Sequence, residues 1–255
     1  MKTIISLVLG LSMLLPHGAC NENAENWYLK RGKEGEAPQF PPSAEYIVEQ
    51  NGFYMDNDAY ANGEKVIYLT FDAGYENGNI AKILDILKEK RVTGAFFILS
   101  NLIKKNPDIV RRMADEGHLV CNHTKNHKDM TTLTDEEMTA NLQVLYDQYK
   151  ELTGTEMAKY FRFPEGRYNK EKVALCNTIG YRCVFWSAAY ADWDNQKQME
   201  PQKALDLLLS RMHNGAVILL HPTSSTNAEI LPQLIDKLRE QGYRFGTLDE
   251  LCVAR

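Results

Sequence analysis

Six times in this chain a segment with helical spacing runs into a glycine and then into a short apolar run. The joints read RVTGAFFIL (91–99), EGHLVCNHTKNH (116–127), TGTEMAKYFRF (153–163), IGYRCVFW (179–186), NGAVILLH (214–221) and QGYRFGTL (241–248). An earlier run, VIYLTFD (66–72), stops at Asp72. Glycine suits the left-handed residue that closes a helix. Continuous apolar runs suit strands buried on both faces of a parallel sheet. The alternation predicts an α/β protein, and about seven such units would close a barrel smaller or less regular than the eightfold one. In barrels of this class chemistry gathers at the carboxyl ends of strands. Asp72, His123, His127, Arg162 and His221 all fall there, so one shared active site is the leading expectation.

Helices are expected at 79–90, 107–116, 134–153, 169–179, 201–213 and 227–241. The third carries the plainest start signal, a capping box of Thr134 and Glu137, with Leu142, Leu145, Tyr146 and Tyr149 recurring at helical spacing. Pro201 suits a first helical turn. The first twenty residues read as an export signal, residues 21–63 as an arm packed on the catalytic domain, and 64–255 as that domain. Within the arm, EGEAPQFPPS (34–43) should resist regular structure. In the leader, Lys2 precedes the apolar IISLVLGLSMLLP (4–16), and Gly18 and Ala19 precede Cys20. Cleavage near Ala19, acylation of Cys20 as a lipoprotein, and retention as an uncleaved anchor remain open. His17 sits where a lipoprotein box prefers an apolar residue.

The net charge is −5, and no basic stretch is long enough to hold nucleic acid. Five cysteines do not make a disulfide framework. Buried free thiols are expected, with a Cys176–Cys183 bridge as an alternative.

H-T-K-N-H puts His123 and His127 four apart just past a strand. A helical turn there would bring two imidazoles to one point, suiting a transition metal, although a carboxylate usually completes such a site. Asp72 in a glycine turn reads either as a cap or as a general base on a rigid strand. His221 after A-V-I-L-L faces the barrel mouth or is a satisfied core residue. Arg162, flanked by aromatics in Y-F-R-F-P, needs an anion, and Asp72 or Asp192 would serve. Asp192 and Trp193 follow F-W-S-A-A-Y-A, an aromatic run that suits either a sugar site or a packed strand end. His118 and His213 sit at the opposite end of the barrel and read as capping or stabilising residues.

In their order, T-F-D-A-G (70–74), H-T-K-N-H (123–127), R-F-P-E-G (162–166), D-W (192–193) and I-L-L-H (218–221) resemble the motifs of the polysaccharide deacetylase family, carbohydrate esterase family four. The likeness spans roughly residues 64–251. N-W-Y-L-K-R (26–31), G-Y-E-N-G (74–78) and F-W-S-A-A-Y-A-D-W (185–193) bring the chain closest to the δ-lactam-forming peptidoglycan N-acetylmuramic acid deacetylases. The resemblance implies a distorted (β/α) barrel and hydrolysis of an N-acetyl group. It implies Asp72 as base, His221 as acid, Arg162 and Asp192 as their respective partners, and His123 and His127 as ligands of a divalent cation (Zn, Co, Mn or Mg). It assigns the oxyanion to the backbone N–H of Glu165, and substrate contacts to Phe163, Pro164, Glu165, Gly166, Trp186 and Trp193.

Three residues depart from the pattern. Ala73 stands where a third metal ligand, an aspartate, is common, so metal affinity is expected to be weakened. Phe163 and Glu165 replace a proline and an aromatic or basic residue, and Ala189 holds a place that is often acidic. The expected function is an exported de-N-acetylase of muramic acid residues in a spore-cortex type of pathway. Deacetylation of N-acetylglucosamine glycans, chitin oligosaccharides or acetylated xylan is one alternative, and an inactive carbohydrate-binding protein is another. The expected partner is the peptidoglycan glycan strand, met by a monomer in the cell wall or spore cortex region, with no stable protein partner.

Overall fold

A computed structural model describes residues 23–253. The expected export leader and Cys20 lie outside the described residues. The chain forms a parallel sheet curled into a half-barrel. Its strands are β2 (Val66–Ala73), β3 (Ala95–Ile98), β4 (Leu119–Asn122), β5 (Ala158–Phe161), β7 (Arg182–Cys183), β8 (Ala216–Leu220) and β9 (Arg244–Gly246). Two short segments, β1 (Glu25–Asn26) and β6 (Arg167–Tyr168), pair antiparallel apart from it. The main order is β7-β5-β4-β3-β2-β8, with β9 also on β2. β2 is long enough to serve three neighbours. Ile67 to Phe71 face Ala216 to Leu220 of β8 on one edge. On the other edge Val66 to Tyr68 meet β9 and Thr70 to Ala73 meet β3.

Side chains of β2 alternate between two layers, as the pleat requires. Ile67, Leu69, Phe71 and Ala73 join the outer core with Ile80, Ile83, Leu84 and Leu87 of helix α3. Val66 and Tyr68 join an inner cluster with Phe97, Cys121 and Val217. Asp72 follows the inward parity, which points its carboxylate at the barrel mouth. The helices are α1 (Ala44–Glu49), α2 (Asn57–Asn62), α3 (Asn79–Lys90), α4 (Ser100–Lys105), α5 (Pro107–Asp115), α6 (Asp135–Thr153), α7 (Lys170–Thr178), α8 (Pro201–Leu209), α9 (Ser225–Glu240) and α10 (Glu250–Val253).

The predicted helices recur within a few residues, and the capping box of Thr134 and Glu137 is present. Helix α8 ends at Leu209, four residues short of expectation. The chain leaves it early because His213 turns its ring inward, with Nε2 2.9 Å from Ser187 Oγ and Nδ1 2.8 Å from Asn214 O. Helices α1, α2, α4 and α10 fall outside the expected set, although α2 is closed by a left-handed glycine, Gly63 at φ 74°, just before β2. Within IGYRCVFW (179–186) the strand is laddered only at Arg182–Cys183; beyond it single bridges join Val184 to Phe53 and Ala188 to Ile218.

Residues 53–55 of the arm span the open side of the half-barrel. Phe53 bridges to Val184 and Met55 to Ala216. Trp27 is buried at 6 % exposure between Phe40, Tyr54 and Phe185, and its indole N–H donates to Trp186 O at 2.9 Å. Cys121, Cys176 and Cys183 are buried free thiols. The Cys176–Cys183 bridge raised as an alternative is therefore not formed here. No described helix is long and apolar enough to cross a membrane.

Candidate active site

Four strands deliver their next residue to one mouth: β2 ends with Asp72-Ala73, β4 is followed by His123, β5 by Arg162 and β8 by His221. The mouth is a cleft of about 980 Å³ lined by Asp72, His123, His127, Glu165, Trp186, Trp193 and His221 among others. Burial gives these groups their chemistry, because charge inside a dry wall must be paired.

Arg162 is fully buried. Its Nη1 donates to Asp72 Oδ1 at 2.7 Å and its Nη2 to Thr70 Oγ1 at 2.8 Å. Nε donates to Val184 O at 3.0 Å, and the guanidinium carbon lies 4.1 Å from the centroid of the Phe97 ring. The choice left open by sequence, Asp72 or Asp192, falls to Asp72. Burial alone would raise the Asp72 pKa. The charge of Arg162, followed by His123 and His221, outweighs it and holds the carboxyl below the usual carboxylate range.

His221 sits in a second pair. Its Nδ1 is 2.7 Å from Asp192 Oδ1, and its backbone N–H donates to Asp192 Oδ2 at 2.7 Å. Asp192 is 1 % exposed, and Asn227 Nδ2 completes its shell at 2.6 Å. Tyr190 holds Asn227 in place by donating its hydroxyl to Oδ1 at 2.6 Å. Burial opposes a charge on His221, but the hydrogen bond and charge of Asp192 win and raise its pKa above the ordinary histidine value. One carboxylate is thus kept ionised and one imidazole kept protonable across a single cleft.

His123 Nδ1 lies 2.9 Å from Arg162 O. A carbonyl only accepts, so Nδ1 carries the proton and Nε2 presents its lone pair, 3.6 Å from Asp72 Oδ2. Burial pushes the His123 pKa down to about 4, which keeps the ring neutral as a ligand must be. The His127 ring centroid is 5.1 Å from that of His123, and the turn between them uses left-handed backbone at Thr124 and His127. These two imidazoles fit a cation as a pair of donors. Among the described residues no group of three His, Cys, Asp or Glu is arranged to hold one. Ala73 is fully buried in the outer apolar cluster and does not line the cleft.

The expected substrate contacts divide. Glu165 is exposed on the cleft wall at φ 58°, with Gly166 beside it at φ 64°. A Cβ on Gly166 would stand 2.7 Å from Trp186 Cη2 and 3.0 Å from Trp27 Cβ, so that turn needs glycine twice over. Trp186 lines the cleft. Trp193 is 64 % exposed, its ring centroid 6.4 Å from that of His221. Phe163 and Pro164 do not reach the cleft. Phe163, 1 % exposed, is held inward by Phe161, Tyr168 and Phe185, and Pro164 is buried under the turn. Their aromatic neighbours claim them for the core, which corrects the expectation of substrate contact. His118 and His213 lie at the amino ends of the strands, as expected; His118 Nδ1 accepts from Gly94 N at 3.2 Å. Sequence reasoning gave no role to Asn227, Tyr190 or Thr70, although Thr70 and Tyr190 stand inside the quoted segments T-F-D-A-G and F-W-S-A-A-Y-A-D-W.

Residues 59–184 match the polysaccharide deacetylase family. The peptidoglycan-N-acetylmuramic acid deacetylase PdaA of Bacillus subtilis is 37% identical over 246 residues, which are 94% of this chain and 92% of that protein. The chain belongs to the polysaccharide deacetylase family. The solved structure of Bacillus subtilis PdaA, described as a family 4 carbohydrate esterase, superposes with a TM-score of 0.85 over 92% of this chain and 98% of that one. An uncharacterized 30.6 kDa protein of Geobacillus stearothermophilus is 41% identical over 84% of this chain and 82% of its own length. The half-barrel is thus that of the deacetylase family.

Proposed function

We propose that this protein is an exported hydrolase that removes N-acetyl groups from peptidoglycan, acting on N-acetylmuramic acid residues in a δ-lactam-forming pathway. One observation carries the reading: an Arg162-paired Asp72 and an Asp192-paired His221 open into the same cleft. Their opposed pKa shifts divide the work of base and acid. The PdaA likeness along nearly the whole chain supports the muramic acid assignment.

Asp72 takes a proton from the attacking water as its oxygen bonds to the acetamide carbon. The backbone N–H of Glu165 donates to the developing oxyanion. His221 then gives a proton to the amide nitrogen as the C–N bond breaks, because an amide anion is a very poor leaving group. The products are acetate and a free sugar amine. Arg162 keeps Asp72 ionised and aimed; Asp192 keeps His221 protonated and aimed. A divalent cation held by His123 and His127 would supply Lewis acidity at the carbonyl oxygen. Trp186 and Trp193 offer faces for the sugar rings. Residues 21–63 serve as the arm of this catalytic unit, residues 64–255 as its body.

The deciding experiment incubates the protein with peptidoglycan stripped of stem peptides and, separately, with chitin oligomers. Mass spectrometry then locates the new amine. We expect it on muramic acid residues, and not with Asp72→Asn. An amine only on N-acetylglucosamine would overturn the substrate, and equal acetate release by Asp72→Asn would overturn the base.

A further inference from the structure

Beside the catalytic cleft lies a second cavity of about 480 Å³, lined by Leu29, Arg31, Lys33, Ala189 and Arg211 among others. Leu29, Ala189 and Arg211 line both spaces, so Arg211 stands on the ridge between them. Arg211 is half-buried just past the end of α8. Its Nη1 donates to Ala189 O, and its Nε is buried with no hydrogen-bond partner. Among the described residues no ion pair includes Arg211. Its one resolved electrostatic neighbour is another cation, Arg31 of the arm, so burial and then like charge both depress its pKa. Glu34 and Glu36 also line the second cavity, but both are exposed, and Glu36 accepts from the Lys33 backbone N–H at 3.4 Å.

Elsewhere in this chain a buried arginine is paired: Arg162 has Asp72. Arg211 and the exposed Arg31 line the same cavity, and a buried guanidinium nitrogen with no acceptor, as Arg211 Nε is, is costly unless an anion arrives with the ligand. On an N-acetylated amino sugar, the carbon next to the acetamide can carry an acidic ether. A carboxylate on that arm would lie within a few ångströms of the reacting amide, against a wall of the same cleft.

We propose that Arg211 and Arg31 form an anion subsite for the lactyl carboxylate of the bound muramic acid residue, selecting sugars that carry this arm free. The proposal deepens the deacetylase reading and rests on it for the identity of the glycan. The arm of the chain thereby acts in specificity, since it supplies Arg31 and Leu29.

The test measures binding of muramyl glycan to the full chain carrying Asp72→Asn, so that no turnover intervenes. Three glycans are compared by calorimetry: stripped of stem peptides with free lactyl carboxylates, stripped with those carboxylates converted to amides, and with stem peptides intact. Arg211→Gln is expected to weaken binding of the free-carboxylate glycan about tenfold or more, the range of a charge-assisted hydrogen bond. Arg31→Gln, an exposed change that spares the fold, is expected to weaken it less. Both effects should vanish on the amidated glycan, giving a coupling between protein charge and ligand charge. Equal losses on free and amidated glycans would make Arg211 a structural support and overturn the subsite. Unchanged affinity in both variants, or an effect confined to peptide-bearing glycan, would overturn it too. Failure of the underlying reading is seen separately, as no acetate released by the parent protein from any of the three.

Discussion

Replacing Arg162 with methionine removes the counter-ion of Asp72 while keeping an unbranched side chain in the slot over Phe97. Arg162 is fully buried and the Asp72 side chain is 9 % exposed, so solvent screening gives little relief. Breaking such a pair from one side costs about 3–5 kcal/mol. Part of that loss is the stranded carboxylate. Part is the set of acceptors left behind: Thr70 Oγ1, Val184 O and Phe185 O all receive Arg162 N–H groups. An unmet buried acceptor costs about 1–3 kcal/mol. The two parts separate by pH. In the parent the Asp72 pKa is lowered on folding, so its contribution is present above the unfolded value of about 3.9 and is lost as pH falls through the folded value. In Arg162→Met the folded pKa rises above the unfolded one, and the penalty grows as pH climbs from about 3.9 through that raised value. Urea unfolding at several pH values should therefore show a deficit of about 3–5 kcal/mol near neutrality. It should shrink toward about 1–3 kcal/mol in acid, where Asp72 is uncharged in both proteins. Adding Asp72→Asn to Arg162→Met should recover part of the neutral-pH loss. A deficit that stays constant with pH, or one below about 1 kcal/mol throughout, would refute the claim that this ion pair orders the cleft.

Three further outcomes follow from the geometry. Asp192→Asn removes the charge that raises the His221 pKa; because the acid must be protonated, the alkaline limb of the kcat profile should shift to lower pH, and an unmoved limb would remove Asp192 from that role. Alanine at both His123 and His127 should abolish divalent cation binding measured by calorimetry, while unchanged binding would put the cation elsewhere. Gly166→Ala should lower stability by about 1–3 kcal/mol, since the φ of 64° and the 2.7 Å approach to Trp186 both resist a Cβ; an unshifted melting temperature with unaltered tryptophan fluorescence would contradict the packing of Trp27 and Trp186 against that turn.

Much of the site could be read in the linear chain because a strand end fixes where the next side chain goes. Asp72, His123, Arg162 and His221 were recognisable as residues that close apolar runs, and the parity of β2 fixes which face Asp72 takes. Phe163 and Pro164 were misread because a motif position says nothing of which way a side chain turns. In the fold, Phe161, Tyr168 and Phe185 draw Phe163 inward. Helix α8 was overextended because the apolar pattern of 201–213 does not reveal that His213 is needed by Ser187, in a different segment. Asn227 and Tyr190 look ordinary in sequence, and only their meeting at Asp192 gives them a task.

The order of strands and helices, the glycines that end helices and the barrel class were written in local propensity and periodicity, which act over a few residues. Partnership was not, because the groups that set each other's charge come from distant segments. Arg162 and Asp72 are 90 residues apart in the chain, and His221 and Asp192 are 29 apart. Only the curl of the sheet takes them out of water together, and removal from water is what makes each one answer to the other.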